Sequence, residues 1–455
     1  LMSTIALVSW PSAPLTRRLV LNALDTLEEK PLTLNSIGDN RYDRLIQWST
    51  YDDIDHELTN LRRETILASS YTFRKALIRK HYLAHSIHLY LTKMPSSILS
   101  IASPQTFGLD LAFASELDEK WADDLYELGE FLDNEPDKWW ILKPGMTDRG
   151  MGIRLFNTKD ALQQIFEEFE LLDSEGEEDE EDSRDEADGV CKTAVVTSQL
   201  RYFVIQEYIL SPLLLDPREI PLDGVPRTPD LKLRGHKFHL RAYCVASGAL
   251  QLYFYDRILA LFCPVPYTSP GKDGGDLYPT DLDAHVTNTS LQTSRGEAGV
   301  RLFDELVGCQ IFGNEGETFG VLMEKDRKTI ILQMTHILAE TFKAALQTPV
   351  HFQPLENAFE LYGVDFLVEH TPSSQACFQV KILEINAEPA IELTGPRLTW
   401  ILEDLFISIT KVCVRPFVQN RAVSELYGSW DVGEAKEHLI KCIDEVLRAG
   451  PKCPS

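Results

Sequence analysis

The run Leu361-Tyr362-Gly363-Val364-Asp365-Phe366-Leu367-Val368-Glu369, followed shortly by Ile382-Leu383-Glu384-Ile385-Asn386-Ala387-Glu388-Pro389, decides the reading of this chain. Apolar residues alternate with single acids or amides in both segments, which is the period of a β-strand. Joined as an antiparallel hairpin, the two strands put Asp365, Glu384 and Asn386 on one face. Three oxygen donors on rigid strands suit magnesium, which favours octahedral oxygen and binds through one or two carboxylates together with substrate phosphates. A plain hairpin carrying three solvated polar residues shows the same alternation. The segments upstream must decide between them.

Moving outward, Lys237-Phe238-His239-Leu240-Arg241 and Leu250 to Arg257 form two further strands joined at Ser247-Gly248. Lys237, His239 and Arg241 share a strand face and invite an anion, and Arg257 carries a guanidinium suited to a carboxylate or phosphate. Charges guarding an edge strand are the common alternative. Earlier still, Trp139 to Pro144 is a strand that ends in the turn Gly145-Met146-Thr147-Asp148-Arg149-Gly150-Met151-Gly152. This turn leads into a second strand, Gly152 to Phe156, so it fits neither a Rossmann fingerprint nor a Walker loop. Such a glycine-rich hairpin can fold its N–H groups over phosphates, with Lys143 as a compact positive charge, or it can be a hairpin and nothing more. Gln206-Glu207-Tyr208-Ile209 ends another strand, where a purine edge could bond to backbone.

In chain order these pieces are a strand lysine, a glycine hairpin, a Q-E-Y segment, K-F-H-L-R, then D-F and L-E-I-N. The order resembles ATP-grasp enzymes, and most specifically the tubulin-tyrosine-ligase-like family. The counterparts of its motifs are Lys143 to Ile153, Gln206 to Leu215, Lys237 to Arg241, His285-Val286-Thr287-Asn288 with Gln292, Gly363 to Phe366, and Leu383 to Pro389. The spelling K-F-H-L-R followed by Tyr255-Asp256-Arg257-Ile258-Leu259-Ala260-Leu261-Phe262 is similar to a fungal, P-body-associated branch of the family.

The resemblance implies an α/β (α+β) ATP-grasp fold, with two α+β lobes holding ATP between them. It implies carboxylate–amine ligation through an acyl phosphate, with ATP and Mg2+ as cofactors and a protein or peptide carboxylate as acceptor. Asp365, Glu384 and Asn386 would hold the metal. Lys75, Lys143, Gly150, Gly152, Ile153, Gln206, Glu207, Tyr208, Ile209, Lys237, His239, Thr287 and Asn288 would hold the nucleotide. Arg241 and Arg257 would neutralise the acceptor and the intermediate. Two positions depart from the family pattern. His239 stands where tubulin tyrosine ligase has an aspartate, and Arg257 stands one position out of register with the family's Y-R-E-G arginine. The branch also implies an alternative role, an ATP-binding scaffold associated with mRNA decapping proteins in cytoplasmic P-bodies. No motif names the acceptor, and tubulin is not assured.

Composition sets outer bounds. The chain has 455 residues, 44% of them hydrophobic and 25% charged, an ordinary soluble composition with no apolar run long enough to span a bilayer. The net charge of -26 argues against direct nucleic-acid binding. Asp173 to Asp188 sets eleven acids against Arg184, and reads as a disordered insert over 173–189. Eight scattered cysteines without a C-x-x-C pair read as reduced and intracellular. The leucine at position 1 suggests a domain of a longer chain. The expected organisation is an N-terminal α/β domain over 1–70, a central lobe over 71–210, a crossover loop over 211–235, a C-terminal lobe over 236–412, and a helical segment over 413–455. The last helix of that segment is expected from Asp431 to Ala449.

Overall fold

In a computed structural model of the chain, the described residues are 4–36, 42–145, 152–176, 201–220, 232–271, 282–287, 298–372 and 377–445. Most of the acidic insert, part of the crossover loop, Gly150, Asn288 and Gln292 lie outside them.

The first unit is a parallel sheet of β1 (Thr4–Leu7), β2 (Leu32–Leu34), β3 (Arg44–Gln47) and β4 (Ile66–Ala68), in the order β2-β1-β3-β4. Helix α1 (Pro14–Asp25) begins with proline, whose missing N–H and fixed φ suit a first turn. Its buried face, Leu19, Val20, Ala23 and Leu24, follows helical spacing and packs into a cluster with Leu402, Leu405 and Phe406 of the distant helix α6 (Thr399–Ile409).

The central lobe is a four-stranded antiparallel sheet ordered β5-β8-β6-β7, from β5 (Thr106–Asp110), β6 (Trp140–Pro144), β7 (Arg154–Phe156) and β8 (Tyr202–Glu207). Helices α3 (Tyr126–Asn134) and α4 (Lys159–Gly176) cover one face, and Leu128, Leu132, Leu162, Phe166 and Phe169 join Trp140, Leu142 and Phe203 in its core.

The C-terminal lobe is built on β10 (His236–Ser247), a 12-residue strand that pairs with β9 (Leu214–Leu215), β11 (Gln251–Tyr255), β12 (Leu259–Phe262) and β16 (Phe359–His370). The sheet has 11 strands; β13 (Val300–Leu302) flanks β12, β14 (Gln310–Phe312) and β15 (Thr318–Val321) extend it past β9, and β17 (Phe378–Ala387) pairs with β16. Helix α5 (Glu324–Leu346) buries Ile330, Met334, Ile337, Leu338 and Phe342 against it.

Two expectations are corrected. Residues 75–102, placed with the central lobe by sequence, pack in the C-terminal core: Leu77, Leu83, Ile87, Tyr90 and Leu99 belong to the cluster that contains Leu240, Phe342 and Val364. Helix α2 (Lys80–Lys93) therefore lies against α5 while its other side meets the central sheet. The helix expected over 431–449 is, as far as residue 445, a hairpin of β18 (Ala435–Lys436) and β19 (Leu439–Asp444), and β19 pairs with β11. Its turn residues Glu437 and His438 both have positive φ, 50° and 59°. That is the pattern of a type I′ turn, built here without the usual asparagine or glycine that would have signalled it. No helix among the described residues is long and apolar enough to cross a membrane.

Candidate nucleotide and metal site

The deciding hairpin forms with Asp365 directly opposite Glu384 and Gly363 opposite Asn386. A register shift between Asp365 and Phe366 interrupts the ladder just there, and such bulges re-aim side chains beside functional sites. Asn386 Nδ2 lies 3.4 Å from Asp365 Oδ2 and 3.2 Å from Glu384 Oε1, so the three predicted ligands touch one another. Close approach of the following loop requires Gly363: a Cβ there would sit 2.7 Å from Pro389 Cβ and 3.3 Å from Arg241 Cδ.

Each carboxylate has a cation. The Arg241 guanidinium binds Asp365 in a two-point grip, its Nη2 2.7 Å from Oδ2, and Lys80 Nζ is 3.2 Å from Glu384. Burial raises the Asp365 pKa, but Arg241 and then His239 outweigh it and hold the carboxyl well below its usual range. Glu384 is likewise pushed up by burial and pulled further down, chiefly by Lys80. His239 is buried, with Nδ1 on the Thr287 hydroxyl and Nε2 3.4 Å from Asp365 Oδ1.

Two lysines are treated differently. Lys143, half-buried at the end of β6, donates to Gln206 Oε1 at 2.7 Å, and Gln206 donates onward to Thr106. Lys237, 6% exposed, sets its ammonium over the Tyr208 ring at 4.1 Å. Neither makes an ion pair among the described residues. Burial therefore dominates: it lowers the Lys143 pKa to about 8 and, with help from Lys143's charge, the Lys237 pKa to about 7. The Tyr208 hydroxyl meets His285 Nδ1 at 2.8 Å, and burial plus the neighbouring Lys237 push His285 down to about 4. Beside them Trp139, Ile141, Tyr208, Leu214 and Phe312, with Ile153 packed on them, form an apolar bed of the kind that lines small-molecule sites. Ile209 is buried next in sequence. Gly145, at the mouth of the glycine loop, donates its N–H to the Tyr202 carbonyl at 2.6 Å; a Cβ there would lie 2.8 Å from that oxygen.

The structure thus gathers Lys143, Ile153, Gln206, Tyr208, Lys237, His239, Arg241, Thr287, Asp365, Glu384 and Asn386. Gly152 stands at the turn entering β7 with φ +74°, and Gly150 and Asn288 lie outside the described residues. Two expectations are corrected, those for Lys75 and Arg257. Lys75 is exposed and makes no ion pair among the described residues; the short helix Lys75–Ile78 ends at Arg79, and Lys80 on α2 reaches the acidic corner instead. The Glu207 carboxylate points to the opposite sheet face, 3.4 Å from Lys138 Nζ, which leaves its backbone as the part expected to meet a purine edge. Arg257 pairs with Asp404 at 3.3 Å, stacks over Trp400 and lies 3.4 Å from His438, none of which belongs to the cluster. Sequence reasoning passed over Lys80 and His285. Signals for both were present, in the basic run at 74–80 and in the histidine of the H-x-T-N motif.

The donor set fits a divalent cation that prefers oxygen: two carboxylates held ionised face to face, with an amide beside both. The rest of the site fits a polyanion. Buried ammonium groups without carboxylate partners are costly, and a phosphate chain would supply the missing charge.

Comparison with known proteins bears on the family and the fold. The model of the "Tubulin-tyrosine ligase family" matches residues 61–422. The "Probable tubulin--tyrosine ligase PBY1" of Saccharomyces cerevisiae is 37% identical over 413 residues, covering 88% of this chain and 49% of that protein. A probable tubulin–tyrosine ligase of Schizosaccharomyces pombe is 36% identical over 381 residues, covering 82% of this chain and 83% of its own length. The chain therefore spans about half of the first relative and most of the second. The crystal structure of the C-terminal domain from K. lactis Pby1, described as an ATP-grasp enzyme interacting with the mRNA decapping enzyme Dcp2, superposes with a TM-score of 0.65 at 29% identity. It covers 98% of this chain and 100% of that one, so the two lobes and the small leading sheet are an ATP-grasp fold with its N-terminal unit.

Proposed function

Because the chain belongs to the tubulin-tyrosine ligase family, we propose that it is an ATP- and magnesium-dependent carboxylate–amine ligase that adds an amino acid to a protein or peptide carboxylate. The observation that carries this reading is the pair Lys143 and Lys237, two ammonium groups drawn back from water and without an ion pair among the described residues, beside a corner of two ionised carboxylates. Phosphates would lie on the lysines, and the purine on the bed around Tyr208. Asp365, Glu384 and Asn386 would hold magnesium, which when bound would offset charge on the phosphate oxygens.

The reaction asks little covalent chemistry of the protein. The acceptor carboxylate attacks the γ-phosphorus, ADP leaves, and the acyl phosphate is opened by an amine with loss of phosphate. What the residues supply is positioning and positive charge. Arg241, held against Asp365, would meet the acceptor and the acyl phosphate. Arg257, whose partners Asp404, Trp400 and His438 lie outside the cluster, is not given that task.

A second reading has its own support. His239 replaces a carboxylate of the family pattern, and both Asp365 oxygens are taken by Arg241. An ATP-binding scaffold for decapping proteins at cytoplasmic P-bodies, in line with what is said of the K. lactis domain, would need no turnover. Incubation with ATP, Mg2+, single amino acids and candidate carboxylate peptides, with ADP and phosphate followed, separates the two. Acceptor-dependent phosphate release supports the ligase. Nucleotide bound in full with no turnover under any pairing supports the scaffold.

A further inference from the structure

Every carboxylate oxygen of the metal corner already has a partner. Glu384 turns Oε1 to Asn386 Nδ2 at 3.2 Å and Oε2 to Lys80 Nζ at 3.2 Å. Asp365 gives both oxygens to Arg241, and Oδ2 also meets Asn386. Two carboxylates and two cations sum to zero, so the corner as built is neutral. Such a corner attracts a hydrated divalent ion weakly, because Coulomb attraction needs a net opposite charge and Mg2+ gives up its water reluctantly.

The two cations are held differently. Arg241 stands opposite Asp365 in the β10–β16 register and grips it at two points, with the planar fork that this geometry suits. Lys80 makes a single contact from the first turn of α2, on a flexible stem, with a side chain 26% exposed. Its backbone is anchored on both lobes. The next residue, His81, stacks on Tyr202 of β8 with ring centres 5.5 Å apart, and Leu83 is buried in the C-terminal core. The Lys80 ammonium can therefore change partner by side-chain rotation alone. A destination lies near: the charges of Glu384 and Lys80 both act on Lys143, so a phosphate resting on Lys143 comes within electrostatic reach of Lys80. A phosphate chain, with several charged oxygens, outcompetes a single carboxylate for an ammonium.

We propose that Lys80 is a positioning residue that makes metal binding conditional on nucleotide. The inference rests on the nucleotide and magnesium part of the reading above and needs no ligase turnover. Before nucleotide binds, the ammonium stands in for metal charge at Glu384, keeps that carboxylate beside Asp365 and Asn386, and opposes entry of a free divalent ion. When triphosphate and Mg2+ enter together, the ammonium turns to the phosphate oxygens beside Lys143 and releases Glu384 Oε2 to the metal. Magnesium is then taken up with the nucleotide and not ahead of it.

The test uses Mn2+ as the probe, followed by electron paramagnetic resonance, alone and with a non-hydrolysable ATP analogue. Lys80→Met and Lys80→Gln should each bind Mn2+ alone about tenfold or more tightly than the parent, the usual size of a charge-assisted contact. Both should bind the analogue with Mn2+ about tenfold or more weakly. Lys80→Arg, which keeps the charge, should keep free Mn2+ out as the parent does. Adding Glu384→Gln to Lys80→Met should erase the gain, which assigns it to the corner and not to acidic surface elsewhere. Mn2+ alone bound equally by the parent and the neutral variants overturns the inference, as does a gain that survives Glu384→Gln. Weaker analogue binding without any gain for free Mn2+ makes Lys80 a phosphate contact only, and also overturns it; both results leave the nucleotide site standing. If the parent binds neither Mn2+ nor the analogue in any combination, the nucleotide and magnesium reading falls together with this inference.

Discussion

Nucleotide binding should draw protons from solution, and the amount can be worked out from the two lysines. With pKa values of about 7 and about 8, Lys237 is about nine-tenths neutral and Lys143 about half neutral at pH 8. A triphosphate placed on both would restore their charge, so binding at pH 8 should take up about 1.4 protons. The same linkage weakens binding as pH rises, by about a thousandfold between pH 6 and pH 9 if both lysines are fully charged in the complex. The sign for the free protein is the reverse: the unfolded chain holds more protons than the folded one from about pH 7 to 10, so ligand-free stability should increase with pH through that window. Titrating the ATP analogue with Mg2+ at pH 8 in buffers of different ionisation enthalpy gives the proton number as a slope. Lys237→Met should reduce it to about 0.5, and Lys143→Met, which also relieves Lys237 of a neighbouring charge, to below about 0.9. A slope of zero, or proton release, would refute the assignment of phosphates to these lysines.

Three further outcomes follow from the packing around the site. Glu384→Gln keeps shape and removes one metal charge, so the tightening of ATP binding by Mg2+, read by calorimetry with and without EDTA, should fall at least about tenfold. Glu360→Gln removes the nearer counter-charge of buried Arg74 and leaves only Glu388 at 3.8 Å, and urea denaturation should show a loss of about 3 kcal/mol. Gly363→Ala drives a methyl against Pro389 Cβ, a backbone-anchored atom, and the same denaturation assay should show about 1–3 kcal/mol lost.

The corner of Asp365, Glu384 and Asn386 was legible because strand alternation fixes which side chains share a face, whatever the rest of the molecule does. Lys237, His239 and Arg241 were legible for the same reason. What escaped depends on side-chain reach and on packing partners far away in sequence. Lys75 and Lys80 are equally basic neighbours, and only the break at Arg79 decides which one faces the acids. Arg257 was placed by analogy, but Asp404 and Trp400, about 145 residues on, claim it. The C-terminal hairpin was missed because Leu439, Ile440, Cys442 and Ile443 are spaced ambiguously between helix and strand, and Lys441 is buried by pairing with Asp444. The cavity lined by Trp10, Trp48, Phe359 and Phe406 has no linear signature, since its walls come from segments about 300 residues or more apart.

The packing of residues 75–102 against β17 and α5 also dictates an order of events. The core they enter is completed by strands reaching residue 444, so during synthesis this early helical stretch must wait, unsheltered, for most of the chain to follow. The central lobe, by contrast, has its own cluster drawn from residues 109–205 and can close while the rest is still emerging. One folded body is thus threaded into another whose two halves meet only afterwards, and cutting the chain between residues 102 and 106 would strand Leu83, Ile87 and Tyr90 from the sheet that shelters them.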